Sequence, residues 1–175
     1  MKNVSSPLLH DRIPGNLYTM IIYLARHGDY LNGNDDFTRG LSDRGRSDIA
    51  AVAKEMKNKG VHVQATLHSG KLRAQQTAEI LADELMISSV ITVAEGLMPN
   101  DDPVAFEMQH FPALASETLV VGHLPFMGLL VSHLLTGDPG RAPAAFEAGT
   151  VVCLEQAGDG KWSRRWVVHP SRLPG

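Results

Sequence analysis

Short apolar runs alternate with amphipathic stretches from residue 20 almost to the end of the chain. The runs at 21–25, 63–67, 90–93, 118–121, 150–154 and 163–168 have the length of strands. Those at 21–25 and 118–121 are apolar at nearly every position, as strands covered on both faces are. Between the runs, apolar residues recur at helical spacing. Ser42 is placed to cap a helix whose inward stripe is Ile49, Val52, Ala53 and Met56, and Ser69 to cap a second that carries Ala74, Ala78, Leu81 and Leu85. Asp102-Pro103 opens a third helix with Val104, Met108 and Phe111 turned inward, and Pro125 a fourth with Met127, Leu130, Val131 and Leu134. Gly158-Asp159-Gly160 turns a closing hairpin. Strands and helices in this alternation predict an α/β fold, a three-layer α/β/α sandwich with a mainly parallel central sheet.

Residues 1–19 fall outside the pattern, broken by Ser5, Ser6, Pro7, Pro14 and Gly15. They read as a loosely ordered N-terminal extension in which His10 is a solvated side chain, leaving 20–175 as a single domain of ordinary size. A net charge of -3 provides no global basic field, which argues against nucleic acid as the main partner. The apolar runs are far too short to span a bilayer and no leader opens the chain, so a soluble, cytoplasmic protein without a membrane partner is expected. Cys153 is the only cysteine. It can form no internal disulfide, and inside a valine-rich strand it is expected to pack as a small hydrophobe.

The candidate chemistry gathers where strands stop. The first run ends in Arg26-His27-Gly28, the second leads through Ser69 to Arg73 just inside a helix, and the fourth ends in Gly122-His123 before Leu124-Pro125. In open α/β sheets the carboxyl edge is where reaction sites lie. Arginine's planar fork of donors matches phosphate oxygens, and a neutral imidazole can attack phosphorus. Arg26, His27, Arg73 and His123 are therefore the candidate catalytic group.

In this order, Leu-x-Arg-His-Gly, Ser-x-x-x-Arg-Ala-x-Gln-Thr-Ala and Val-Val-Gly-His-x-Pro resemble the histidine phosphatase (phosphoglycerate mutase-like) superfamily, and the short chain with Gly-His-Leu-Pro is most similar to its SixA-type phosphohistidine phosphatase branch. The resemblance spans Met20 to about Val168. It implies that His27 attacks phosphorus and is transiently phosphorylated, that the arginines stabilise the equatorial oxygens, and that His123 is a protonated donor to the transferring group. Guanidinium groups then do by side chain what magnesium does elsewhere, so no metal and no cofactor are expected.

The polar loop from Asn32 to Gly40 follows the first strand and is placed to overhang the phosphate. SixA-type chains are similar there, with an acidic residue shortly before an Arg-x-Leu-Ser/Thr segment. Arg39 is thus a candidate third phosphate contact, Asp36 a candidate for substrate binding and proton handling, and Gly28 and Ser69 complete the substrate-binding set. Asp29 is as readily structural as functional. His62, His68, His110, His133 and His169 have no metal-ligand spacing and read as surface or packing residues, His68 standing nearest the site.

The larger members of the superfamily carry an asparagine after Arg-His-Gly and a midchain glutamate that protonates a leaving alkoxide. Here Gly33 and a brief segment from Glu95 to Pro103 stand in their places. A missing acid is costly for an alkoxide, since general acid catalysis supplies about 10²–10⁴-fold, and less so for a phosphoramidate nitrogen that can be protonated before it leaves. The expected function is a metal-independent phosphatase acting on a phosphorylated substrate such as a phosphohistidine-bearing protein domain. A small phosphoester or phosphoanhydride is the alternative substrate, and a noncatalytic phosphate-binding module the alternative from another class.

Overall fold

The computed structural model describes residues 19–141 and 146–174. Six strands and four helices follow one another as β1 (Met20–Arg26), α1 (Asp43–Asn58), β2 (Ala65–His68), α2 (Leu72–Leu85), β3 (Ile91–Val93), α3 (Pro103–His110), β4 (Thr118–Gly122), α4 (Phe126–Thr136), β5 (Val151–Gln156) and β6 (Trp162–Val168). The strands form one sheet in the order β3-β2-β4-β1-β5-β6. The pairs β1–β4, β2–β4 and β2–β3 are parallel, whereas β5 runs antiparallel to both of its neighbours. The mainly parallel α/β/α reading therefore holds. The hairpin does too: Ala157 donates to the Lys161 carbonyl at 2.9 Å across the turn.

Side-chain alternation along β1 and β4 splits the core in two. Tyr23, Ala25, Leu119 and Val121 face α1 and α2, through Ile49, Val52, Ala53, Met56, Ala74, Ala78 and Leu81. Ile22, Leu24 and Val120 face α3 and α4, through Phe106, Met127, Leu130, Val131 and Leu134. Because both faces of these strands are covered, they are apolar throughout. Cys153 is buried in the α1/α2 core, and burial pushes its thiol up to about 12, so it behaves as the small hydrophobe expected.

Two expectations about helices need correction. The third helix starts where Asp102 caps it, its carboxylate accepting from the Val104 amide at 2.9 Å. Its buried residues, however, are Pro103 and Phe106, while Met108 is 74% exposed. The stripe is rotated because the Phe106 ring packs edge-on to Phe126, with centroids 5.6 Å apart, and one buried aromatic outweighs several smaller apolar positions. The second correction is at α2, whose N-cap is Lys71 and not Ser69. Gly70 turns the chain at φ +85, so the helix begins two residues later than expected and the Ser69 hydroxyl points elsewhere. The Ser42 cap on α1 is as predicted, its side chain accepting from the Gly45 amide at 3.0 Å.

The predicted N-terminal extension, residues 1–19 with His10, lies outside the described residues except for Thr19. Among the described residues no helix is long and apolar enough to cross a membrane.

Candidate active site

In the sheet order β2, β4 and β1 are adjacent and parallel, so their carboxyl ends lie side by side and the residues just beyond them converge. His27 leaves β1 with its backbone fixed on both sides. Its amide donates to the Gly122 carbonyl of β4 at 3.1 Å, and its carbonyl accepts from the Gly149 amide at 3.0 Å. The ring is 4% exposed and lies 4.8 Å from the His123 ring, centroid to centroid. Its Nδ1 is 2.8 Å from the Gly28 carbonyl oxygen. A carbonyl only accepts, so Nδ1 carries the proton and Nε2 the lone pair. Arg73 Nε donates to that Nε2 at 3.3 Å.

Arg73 is 4% exposed, in the first turn of α2. One of its terminal nitrogens donates to the Asp36 backbone carbonyl at 2.7 Å and the other lies 3.2 Å from the Asp36 carboxylate. The Arg73 guanidinium also sits 4.7 Å from the centre of the Tyr30 ring, which the Arg39 guanidinium approaches to 4.8 Å. Arg39 and Lys71 both pair with the Asp36 carboxylate. Arg26, at the end of β1, donates to the Phe146 carbonyl at 2.7 Å while its Nε is buried without a partner among the described residues.

These neighbours set the charge states. Burial pushes the His27 imidazole down to about 4 against the pull of the Gly28 carbonyl, and Arg73, Arg26 and Lys71 add to the fall. Burial likewise takes His123 to about 3, helped by His27, Arg73 and Lys71. Both rings are neutral at pH 7. For His27 that is the form a nucleophile needs. For His123 it differs from the expected protonated donor, because among protein groups alone the site is too dry and too cationic to hold another positive charge; a phosphoryl dianion beside the ring would raise its proton affinity. Lys71, then Arg39, hold the Asp36 carboxyl well below the usual carboxylate range, so Asp36 enters as a fixed anion and is poorly suited to proton handling.

In the unfolded chain His27 and His123 take up protons near pH 6.5, and in the fold only near 4 and 3. Between those limits the unfolded state binds more protons, so stability is fully present above 6.5 and is lost as pH falls. Urea unfolding at pH 5 should show a loss on the order of 1–2 kcal/mol per histidine relative to pH 7, and His27→Ala should remove its share. Equal stability at the two pH values in both proteins would show that the rings are not held neutral by the fold.

Arg26, His27, Arg73 and His123 thus come together, with Arg39 and Asp36 beside them. The remaining candidates have altered parts. Ser69 Oγ is 2.6 Å from His123 Nε2 and positions that ring. The Gly28 amide already donates to Thr77 Oγ1 at 3.1 Å, and a Cβ there would meet Ile49, Gly45 and Leu41 within 3.2 Å; Gly28 is scaffold, with its carbonyl setting the His27 tautomer. Asp29 accepts from the Ser42 hydroxyl at 2.7 Å, a structural bond at the start of α1. The His68 ring accepts from the Gly70 amide at 3.2 Å, a local bond, and Glu95 faces solvent. Three residues of the site were not predicted: Lys71, Tyr30 and Thr77. Thr77 lies within the quoted Arg-Ala-x-Gln-Thr stretch, and its hydroxyl joins the Gly28 amide to the Arg73 carbonyl.

Residues 22–98 match the family model of the histidine phosphatase superfamily (branch 1). The chain is 32% identical over 161 residues to the phosphohistidine phosphatase SixA of Escherichia coli, an alignment covering 88% of this chain and 96% of that protein. A solved structure of the protein histidine phosphatase SixA complexed with tungstate superposes with a TM-score of 0.76 at 29% identity, over 89% of this chain and all of that one. A shorter match, 39% identical over 69 residues, is to the mitochondrial serine/threonine-protein phosphatase Pgam5 of Drosophila mojavensis, covering 39% of this chain and 24% of that protein.

Proposed function

The chain belongs to the histidine phosphatase superfamily, and from that premise we propose a phosphohistidine phosphatase that works through a phosphorylated His27 and without a metal ion. The observation that carries the mechanism is the orientation of His27. Its Nδ1 proton is tied to the Gly28 carbonyl and its Nε2 lone pair faces the arginine that would receive the phosphoryl oxygens. In the first step Nε2 forms a bond to phosphorus while the P–N bond of the substrate breaks, its electron pair leaving with a protonated nitrogen. In the second, water attacks phosphorus, the N–P pair returns to Nε2, and phosphate departs. Arg26 and Arg73 hold the equatorial oxygens, and His123 takes its proton only once the dianion is beside it.

The substrate class rests on three supports. The relative that matches over most of both chains is a phosphohistidine phosphatase. Its structural counterpart binds tungstate, an oxyanion with the shape of phosphate. Among the described residues the carboxylic acid in the site, Asp36, is held ionised. An alkoxide leaving group would therefore lack a strong acid, whereas a phosphoramidate nitrogen can be protonated before it leaves. Metal independence is supported by the cationic side chains at the site and by the absence, among the described residues, of any group of three His, Cys, Asp or Glu side chains able to hold an ion.

A substrate panel tests this. A phosphorylated histidine-containing domain should be hydrolysed faster than phosphoserine peptides and small phosphomonoesters, and a chelator should leave all rates unchanged. Faster turnover of the esters would move the assignment to a phosphoester phosphatase, the chemistry of the Pgam5 match, and loss of activity on chelation that a divalent ion restores would remove the arginine-clamp account.

A further inference from the structure

Three cations stand around one carboxylate. Arg73 and Lys71 form the floor of the cluster, their side chains 5% and 8% exposed, and Arg39 flanks them at 23%; Asp36, which pairs with all three, is 43% exposed at the mouth. Arg26 adds a further charge beside His27. One carboxylate neutralises one charge, so the buried side of the site is under-compensated. A phosphoryl group presents the same kind of oxygen pair with greater charge, in the position from which the carboxylate reaches Lys71 and Arg73. The loop need not unfold to admit it. The Asp36 carbonyl stays bonded to Arg73 and the Phe37 carbonyl to the Leu72 amide at 2.9 Å, so the carboxylate can turn out into solvent about its own side-chain bonds.

We propose that Lys71 is a further substrate-binding residue, its ammonium taking a phosphoryl oxygen, and that the Asp36 carboxylate is the internal anion the substrate displaces to reach it. The proposal rests on the phosphatase reading of the site. It gives the cluster a binding order: Asp36 keeps Lys71, Arg39 and Arg73 assembled without substrate, and competes with every anion that enters.

The test is orthovanadate inhibition, read together with KM and kcat, for the wild type, Lys71→Met, Lys71→Arg and Asp36→Asn, each with its thermal midpoint recorded. Lys71→Met should weaken vanadate binding and raise KM about tenfold or more, as loss of a charge-assisted contact does, while lowering kcat less. Lys71→Arg should recover most of the loss. Asp36→Asn should tighten vanadate binding several-fold, because a competing anion has gone while the backbone bond to Arg73 remains. Vanadate binding unchanged in a folded Lys71→Met protein, or weakened in Asp36→Asn, would overturn the proposal alone. Failure of vanadate to bind the wild type would overturn the phosphatase reading beneath it.

Discussion

The His27→Ala protein is expected to fold, to lose turnover by roughly 10⁴-fold or more, as removal of a nucleophile does, and to take up no label. Brief exposure of the wild type to labelled substrate followed by quenching should trap phosphate in an acid-labile, alkali-stable bond, the signature of phosphohistidine. The orientation of the ring predicts which atom carries it. Since Nδ1 is occupied by the Gly28 carbonyl and Nε2 faces Arg73, the label should be on Nε2, distinguishable by the phosphorus and nitrogen chemical shifts of the trapped ring. Folding should survive because the ring packs mainly on other site residues, Tyr30 at 5.2 Å and His123 at 4.8 Å between centroids, and its removal relieves a desolvated imidazole. Full hydrolysis by His27→Ala, or label recovered only on serine, would exclude the covalent route.

Arg73 should show the next largest effect. Its guanidinium is engaged at once with the His27 lone pair, the Asp36 carbonyl, the Asp36 carboxylate and the Tyr30 face. Arg73→Ala should cost about 10²–10³-fold in kcat/KM, the range for a donor that strengthens its contact in the transition state. The more telling variant is Arg73→Lys. Lysine keeps the charge but has one ammonium in place of a planar fork, and cannot serve a phosphoryl oxygen, the Asp36 carbonyl and the aromatic face together. It should restore no more than about a tenth of the activity. Recovery to near wild type would mean that charge alone suffices and that the observed geometry is incidental to rate.

The strand-end residues were legible in the chain because each lies just past an apolar run, and sheet geometry brings such positions to one edge whatever the loops do. Lys71 was not legible. A lysine after a glycine at the start of a helix reads as a solvated side chain, and nothing local says that a loop thirty-five residues earlier returns to bury it. Tyr30 escaped for the same reason: its place between Arg39 and Arg73 depends on how the loop folds back. Ser69 was misread as a helix cap because serine before a helical stripe usually is one, and only the φ +85 turn at Gly70 redirects it to His123. The third helix shows a limit of periodicity itself. With eight residues it has about two turns, too few to fix the phase of its apolar face.

The position of β1 in the sheet has a consequence for how the protein comes into being during synthesis. β1 lies between β4 and β5, so the strand that carries His27 emerges first and waits for both neighbours, which come more than ninety and one hundred and twenty residues later. Until β4 arrives, the His27 amide has no Gly122 carbonyl to hold it, and His123 does not yet exist beside it. A nascent chain that has reached α2 already contains Arg26, His27 and Arg73, yet its imidazole is an ordinary solvated one, free to take a proton near neutral pH. On the proposed mechanism, the neutral imidazole that attack requires is secured only late, when the second half of the chain dries the site and drives that proton off. If His27 is the nucleophile, the unfinished protein carries it unarmed.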